Sequence, residues 1–142
     1  MFETSAFDPY AFGDGAGAFA LAFLAAGGFL LIFKAIYQVA TPHNEGKLIR
    51  AGNTAAAIAL GGALLGYVIP LASALTQTGS LLEFVAWAAL AGLIQITAFA
   101  LVRRLVMPDI SARIERGEVA ASLYLLSISV SVGVLNAACM TA

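Results

Sequence analysis

Residues 51–82, AGNTAAAIALGGALLGYVIPLASALTQTGSLL, run for 32 positions without a charged side chain. A hydrocarbon core about 30 Å thick is crossed by about 20 helical residues at a rise of about 1.5 Å each. The stretch is therefore long enough to cross once and begin to return, and Ser73, Thr76, Gln77, Thr78, Gly79 and Ser80 supply a turn. Three further uncharged runs flank it: 15–33 (19 residues), 84–102 (19 residues) and 119–142 (24 residues). The composition agrees, with 61% hydrophobic and 11% charged residues and a mean hydropathy of +0.95. A soluble domain carries about 25% charged residues. A 142-residue globule cannot bury this much apolar surface, so lipid is the solvent that remains.

These runs predict helices near 16–39, 53–75, 81–103 and 118–140. Membrane β-barrels alternate polar with apolar residues, whereas these runs are apolar all round, so the expected class is an all-α membrane protein with four transmembrane helices. Positive charge is one-sided. Lys34, Lys47 and Arg50 lie in or beside the first connection, and Arg103, Arg104, Arg113 and Arg116 in or beside the third. The opposite end carries Glu3, Asp8, Asp14 and Glu83. The positive-inside tendency then puts the basic connections in the cytoplasm and both termini outside. Residues 1–15 read as an outward-facing tail, and without Lys or Arg they do not resemble the start of a signal peptide.

The two hairpins, 16–75 and 81–140, share a pattern. Pro42 and Pro108 each follow an apolar run, and each connection closes on Gly-x-x-Ala-Ala, at Gly52-Asn53-Thr54-Ala55-Ala56 and Gly117-Glu118-Val119-Ala120-Ala121. The expectation is a duplicated two-helix unit repeated in parallel, with its pseudo-two-fold along the membrane normal. Several stretches carry a resemblance to a known group. They are Arg50-Ala51-Gly52-Asn53-Thr54-Ala55-Ala56-Ala57-Ile58 running into Gly61-Gly62-Ala63-Leu64-Leu65-Gly66, then Pro108-Asp109-Ile110, Ile114-Glu115-Arg116-Gly117-Glu118 and Asn136-Ala137-Ala138. With them the chain resembles the small bacterial inner-membrane proteins classed as domain of unknown function 350. That resemblance covers nearly everything after about Ala16, and implies tandem two-helix repeats in a bacterial inner membrane. It brings no reaction, ligand or catalytic residue.

Small residues recur at helical spacing, Ala55, Ala59, Gly62 and Gly66 on the second span and Ser129, Gly133 and Ala137 on the fourth. Without a hydrophobic drive between helices in lipid, such faces associate through close van der Waals contact and interhelical hydrogen bonds. The second and fourth spans are therefore expected to form the central contact, within one chain or between copies. Gln95 and Thr97 on the third span, and Ser127, Ser129, Ser131 and Asn136 on the fourth, should face the bundle, because unpaired polar groups in hydrocarbon are costly. They either pack or line a narrow path. Pro70 should bend the second span near its outer end.

Lys34 lies one to two turns inside the first span, and Arg103 and Arg104 end the third, so all three read as interfacial anchors that carry their charge to the headgroups. Asn53 and Asp109 stand where helix caps are expected. His43, beside Pro42, reads as a solvated loop histidine, and with Cys139 the only cysteine no metal-ligand set is recognisable. Seven basic against eight acidic residues leave a net charge of −1, which excludes a basic field for nucleic acid. No catalytic constellation is recognisable and no cofactor is implied. The expected partners are the bilayer and a second copy or another membrane protein. The expected role is a helix-packing, docking or assembly module, the alternative a small channel or transporter subunit.

Overall fold

The protein is described over residues 6–142 by a computed structural model; Glu3 and the first five residues of the expected tail lie outside that range. The described residues form helices joined by short connections, with no strand among them. The order is α1 (Pro9–Ala40), α2 (Glu45–Arg50), α3 (Thr54–Gln77), α4 (Leu81–Leu101), α5 (Ile110–Glu115) and α6 (Val119–Cys139). A π-helical turn, Val102–Val106, extends α4. Helices α1, α3, α4 with its extension, and α6 are each long and apolar enough to cross a membrane.

Local chemistry explains the boundaries. α1 begins at Pro9, seven residues earlier than the apolar run suggests. Asp8 accepts from the Tyr10 amide at 2.9 Å and Pro9 takes the first helical position, where its missing N–H and fixed φ are favourable. At 32 residues, α1 is about 48 Å long at about 1.5 Å per residue, well beyond the hydrocarbon thickness. α3 runs to Gln77, so Ser73 and Thr76 belong to the helix and the turn is confined to Thr78, Gly79 and Ser80. Ser80 then caps α4 by accepting from the Glu83 amide at 3.2 Å.

The two basic connections are built alike. α2 and α5 are each six residues long, and their starts are 65 positions apart (45 to 110). Each is followed by a glycine at positive φ, Gly52 at 87° and Gly117 at 85°, again 65 apart (52 to 117). That region favours glycine over residues with a Cβ. Asn53 N donates to Leu48 O at 2.9 Å, and Glu118 N donates to Arg113 O at 3.0 Å. The same six-to-one closure therefore reverses the chain at both places before a long helix begins.

α3 forms the centre of the bundle. It packs along the whole of α6, and α4 and the C-terminal half of α1 lie against it. Contacts advance together along both chains, from Gly62 against Leu126, through Gly66 against Ser129, to Ser73 against Ala137, so α3 and α6 run parallel. α1 is tied in by aromatic rings: Phe33 stacks on Tyr67 at 4.4 Å, and Tyr37 tilts against Phe99 at 4.7 Å. Its N-terminal part, residues 9–21, is exposed, and Phe12, Phe19 and Leu21 project from it.

Candidate functional site

The tightest point of the molecule is the α3–α6 crossing. A Cβ added to Gly66 would fall 2.5 Å from the Ser129 carbonyl oxygen, and one added to Gly62 would fall 2.7 Å from Leu126 Cβ. A Cβ on Gly133 would overlap the Gly66 carbonyl oxygen itself. The two backbones touch, and only hydrogen fits between them. Ala55 and Ala59 are fully buried on the same stripe of α3, and the Ala137 carbonyl accepts from Ser73 Oγ at 3.3 Å. This small-residue face is occupied within one chain.

A proline sets the chemistry at that crossing. Pro70 lies inside α3 and is buried. Lacking an N–H, it leaves the carbonyl four residues earlier, on Gly66, without its helical donor. Gln95 of α4 fills the vacancy: its side-chain amide donates to Gly66 O at 2.7 Å, in a buried position. Asn136 of α6 donates to the Ala91 carbonyl of α4 at 3.3 Å, also buried, and the Tyr67 hydroxyl donates to Ala88 O at 2.9 Å. One vacancy and three interhelical bonds thus hold α3, α4 and α6 together. Side-chain hydrogen bonds between membrane helices are worth about 0.6 kcal/mol on average and up to about 1.7.

Not every polar side chain points inward. Thr97 is exposed, contrary to its expected place facing the bundle, because its hydroxyl donates to Leu93 O of its own helix at 2.7 Å and so needs no partner elsewhere. Ser127 and Ser131 do the same toward Leu123 and Ser127, and both are exposed. Hydroxyls can return to the preceding turn, whereas the longer amides of Gln95 and Asn136 reach neighbouring helices.

The basic end has its own architecture. Arg103, in the π-helical turn, donates to the carbonyl of Ala40, the last residue of α1, and so ties α4 to α1. Arg104 is exposed and Lys34 is half-buried. Asn53 accepts from the Ala56 amide at 2.9 Å, and its own amide donates to Ile114 O and Glu115 O at 3.1 Å, joining α3 to the end of α5. Asp109 holds the N-cap position of α5 but makes no side-chain cap bond. With φ −91° and ψ 4° its backbone is not in the extended conformation from which such a side chain reaches forward. Glu118 pairs with Arg113 and Arg116. The hydrogen bond to Arg113 holds the Glu118 carboxyl below its ordinary range and raises the Arg113 guanidinium above its own.

His43 is buried, not solvated. It and Glu45 have side-chain exposures of 3% and 0%. Hydropathy did not find this pair, since one histidine and one glutamate near a proline read as loop. Aligning the two connections on Gly52 and Gly117 sets Glu45 against Ile110, and that mismatch was the available signal.

The Domain of Unknown Function (DUF350) family matches residues 11–140. Two curated relatives, the UPF0719 inner membrane protein YjfL of Escherichia coli K12 and that of Escherichia coli O157:H7, are each 44% identical over 124 residues. The alignment spans 87% of this chain and 93% of theirs. No solved structure matches. Four apolar spanning helices and relatives named for the inner membrane make this a multi-pass inner-membrane protein. The chain belongs to the DUF350 family.

Proposed function

We propose that this protein is a packing and docking module of the inner membrane that assembles with a second copy or with another membrane protein, and that it is neither a conduit nor an enzyme. One observation carries the reading: the interior amides that could line a path are engaged by backbone carbonyls, Gln95 on Gly66 and Asn136 on Ala91, around a crossing where two backbones touch. The matching six-residue helices and positive-φ glycines, 65 positions apart (45 to 110, 52 to 117), support a duplicated hairpin. The clustering of basic residues at one end supports cytoplasmic connections and outward termini.

The N-terminal half of α1 supplies the docking surface, because the bundle leaves it uncovered. Two experiments test the reading. In liposomes the wild type should pass no more ion than empty vesicles, and Gln95→Leu or Asn136→Leu should change stability or assembly alone. Ion flux that falls in either variant would support the channel alternative. In membranes, single cysteines along 9–24 in a Cys139→Ala background should cross-link on one helical face. Uniform absence of cross-links to any protein would remove the docking role.

A further inference from the structure

One buried polar group is left over by the packing role. His43 and Glu45, either side of Asn44 in the α1–α2 connection, have side chains 3% and 0% exposed, and both imidazole nitrogens and both carboxylate oxygens lack a hydrogen-bond partner. Nε2 and Oε1 stand 3.6 Å apart, within ion-pairing range but beyond hydrogen-bonding distance. The phenol of Tyr37 lies beside the carboxylate. Gln38 and Asn44, with the pair, line a largely polar recess of about 290 Å³.

The second connection acts as an internal control. Glu45 is the buried first residue of α2, and Ile110 is the buried first residue of α5, 65 positions on (45 to 110). Isoleucine fills that place with hydrocarbon. The architecture therefore has no need of a carboxylate there, and an unpartnered buried carboxylate is costly. A position that accepts isoleucine in one half and holds an unsatisfied glutamate beside an unsatisfied histidine in the other is set up to receive a ligand. A cation is the ligand chemistry that suits the pair, since carboxylate oxygens accept and do not donate.

An imidazole nitrogen with a carboxylate oxygen is a donor set for divalent first-row metals. Two donors bound at about 2.0–2.2 Å to a tetrahedral ion lie roughly 3.4 Å from each other. The pair stands within a few tenths of an ångström of that spacing. We propose that His43 Nε2 and Glu45 Oε1 chelate one divalent transition-metal ion, Zn²⁺ being the type, with the Gln38 amide oxygen and water from the recess in the remaining positions. No third His, Cys, Asp or Glu joins them among the described residues. The site lies at the basic end of the bundle, beside the α1 terminus that Arg103 ties to α4.

The test uses the full chain in detergent, purified without a polyhistidine tag and stripped of metal. Equilibrium dialysis against Zn²⁺ and the visible absorption of bound Co²⁺ are read for the wild type, His43→Ala, Glu45→Ile and Glu45→Gln. Thermal unfolding is followed with and without Zn²⁺. The wild type should take up one Zn²⁺ per chain and melt at a higher temperature with it. His43→Ala and Glu45→Ile should lose uptake and the Zn²⁺-dependent rise, while Glu45→Ile without metal remains at least as stable as wild type, as Ile110 predicts. If Glu45→Ile does not fold, Glu45→Gln carries the comparison and should lose uptake. A folded wild type that takes up no Zn²⁺, or uptake unchanged in the His43 and Glu45 variants, would overturn the proposal.

Discussion

Gln95 makes its bond to Gly66 because Pro70 withholds one, and a double-mutant cycle reads that dependence directly. Gln95→Leu removes the only side-chain donor on the Gly66 carbonyl among the described residues and leaves a buried acceptor bare. An unsatisfied buried group costs about 1–3 kcal/mol, and the membrane average of about 0.6 kcal/mol for a lost interhelical bond is the lower bound. Pro70→Ala returns an N–H four residues after Gly66, so the helix can satisfy the carbonyl without help. Gln95→Leu should then cost markedly less in the Pro70→Ala background, with a coupling of about 1 kcal/mol or more. Reversible unfolding in mixed micelles, followed by circular dichroism, measures all four corners. Asn136→Leu is the control, because Ala91 lies in a helix uninterrupted by proline, and its cost should not change with Pro70→Ala. Equal costs of Gln95→Leu in both backgrounds would refute the account.

Gly133→Ala drives a methyl into the Gly66 carbonyl and should destabilise by at least the usual 1–3 kcal/mol or so of overpacking, whereas Gly61→Ala, with open space around it, should be neutral or slightly stabilising in the same unfolding assay. The Glu118 carboxyl, held low by Arg113, has a folded-state value below its unfolded one. Its contribution is thus present above the ordinary carboxylate range and lost as pH falls through the lowered value; the melting-temperature gap between wild type and Glu118→Gln should close on acidification, and a gap that widens would contradict the pairing. Cysteine labelling from outside intact cells should reach positions near Thr78 and Ala142 but not Lys47 or Arg113, and the reverse pattern would invert the proposed topology.

What could be read from residues alone was whatever depends on length and local composition. Four uncharged runs specify four spans, because each meets the thickness of the bilayer without a neighbour's help. The one-sided arginines and lysines, and the Gly-x-x-Ala-Ala marks before α3 and α6, were equally legible. Boundaries were less so: hydropathy cannot see that Asp8 and Pro9 together start a helix seven residues early, or that α3 continues through Ser73 and Thr76.

The rest was a matter of which faces meet. Gly62, Gly66 and Gly133 are conspicuous in sequence, yet the parallel packing of α3 on α6 decides that they serve a contact inside one chain. Likewise Gln95 and Thr97 look equivalent two residues apart, but a helix turns them to different sides, one to a vacant carbonyl and the other to the surface. Burial of His43 and Glu45 is decided by the folded chain, in which Tyr37 of α1 lies beside Glu45, and no local pattern encodes it. A span is a property of a segment and its solvent, whereas a site is a property of several segments brought within a few ångströms, and only the folded chain sets those distances.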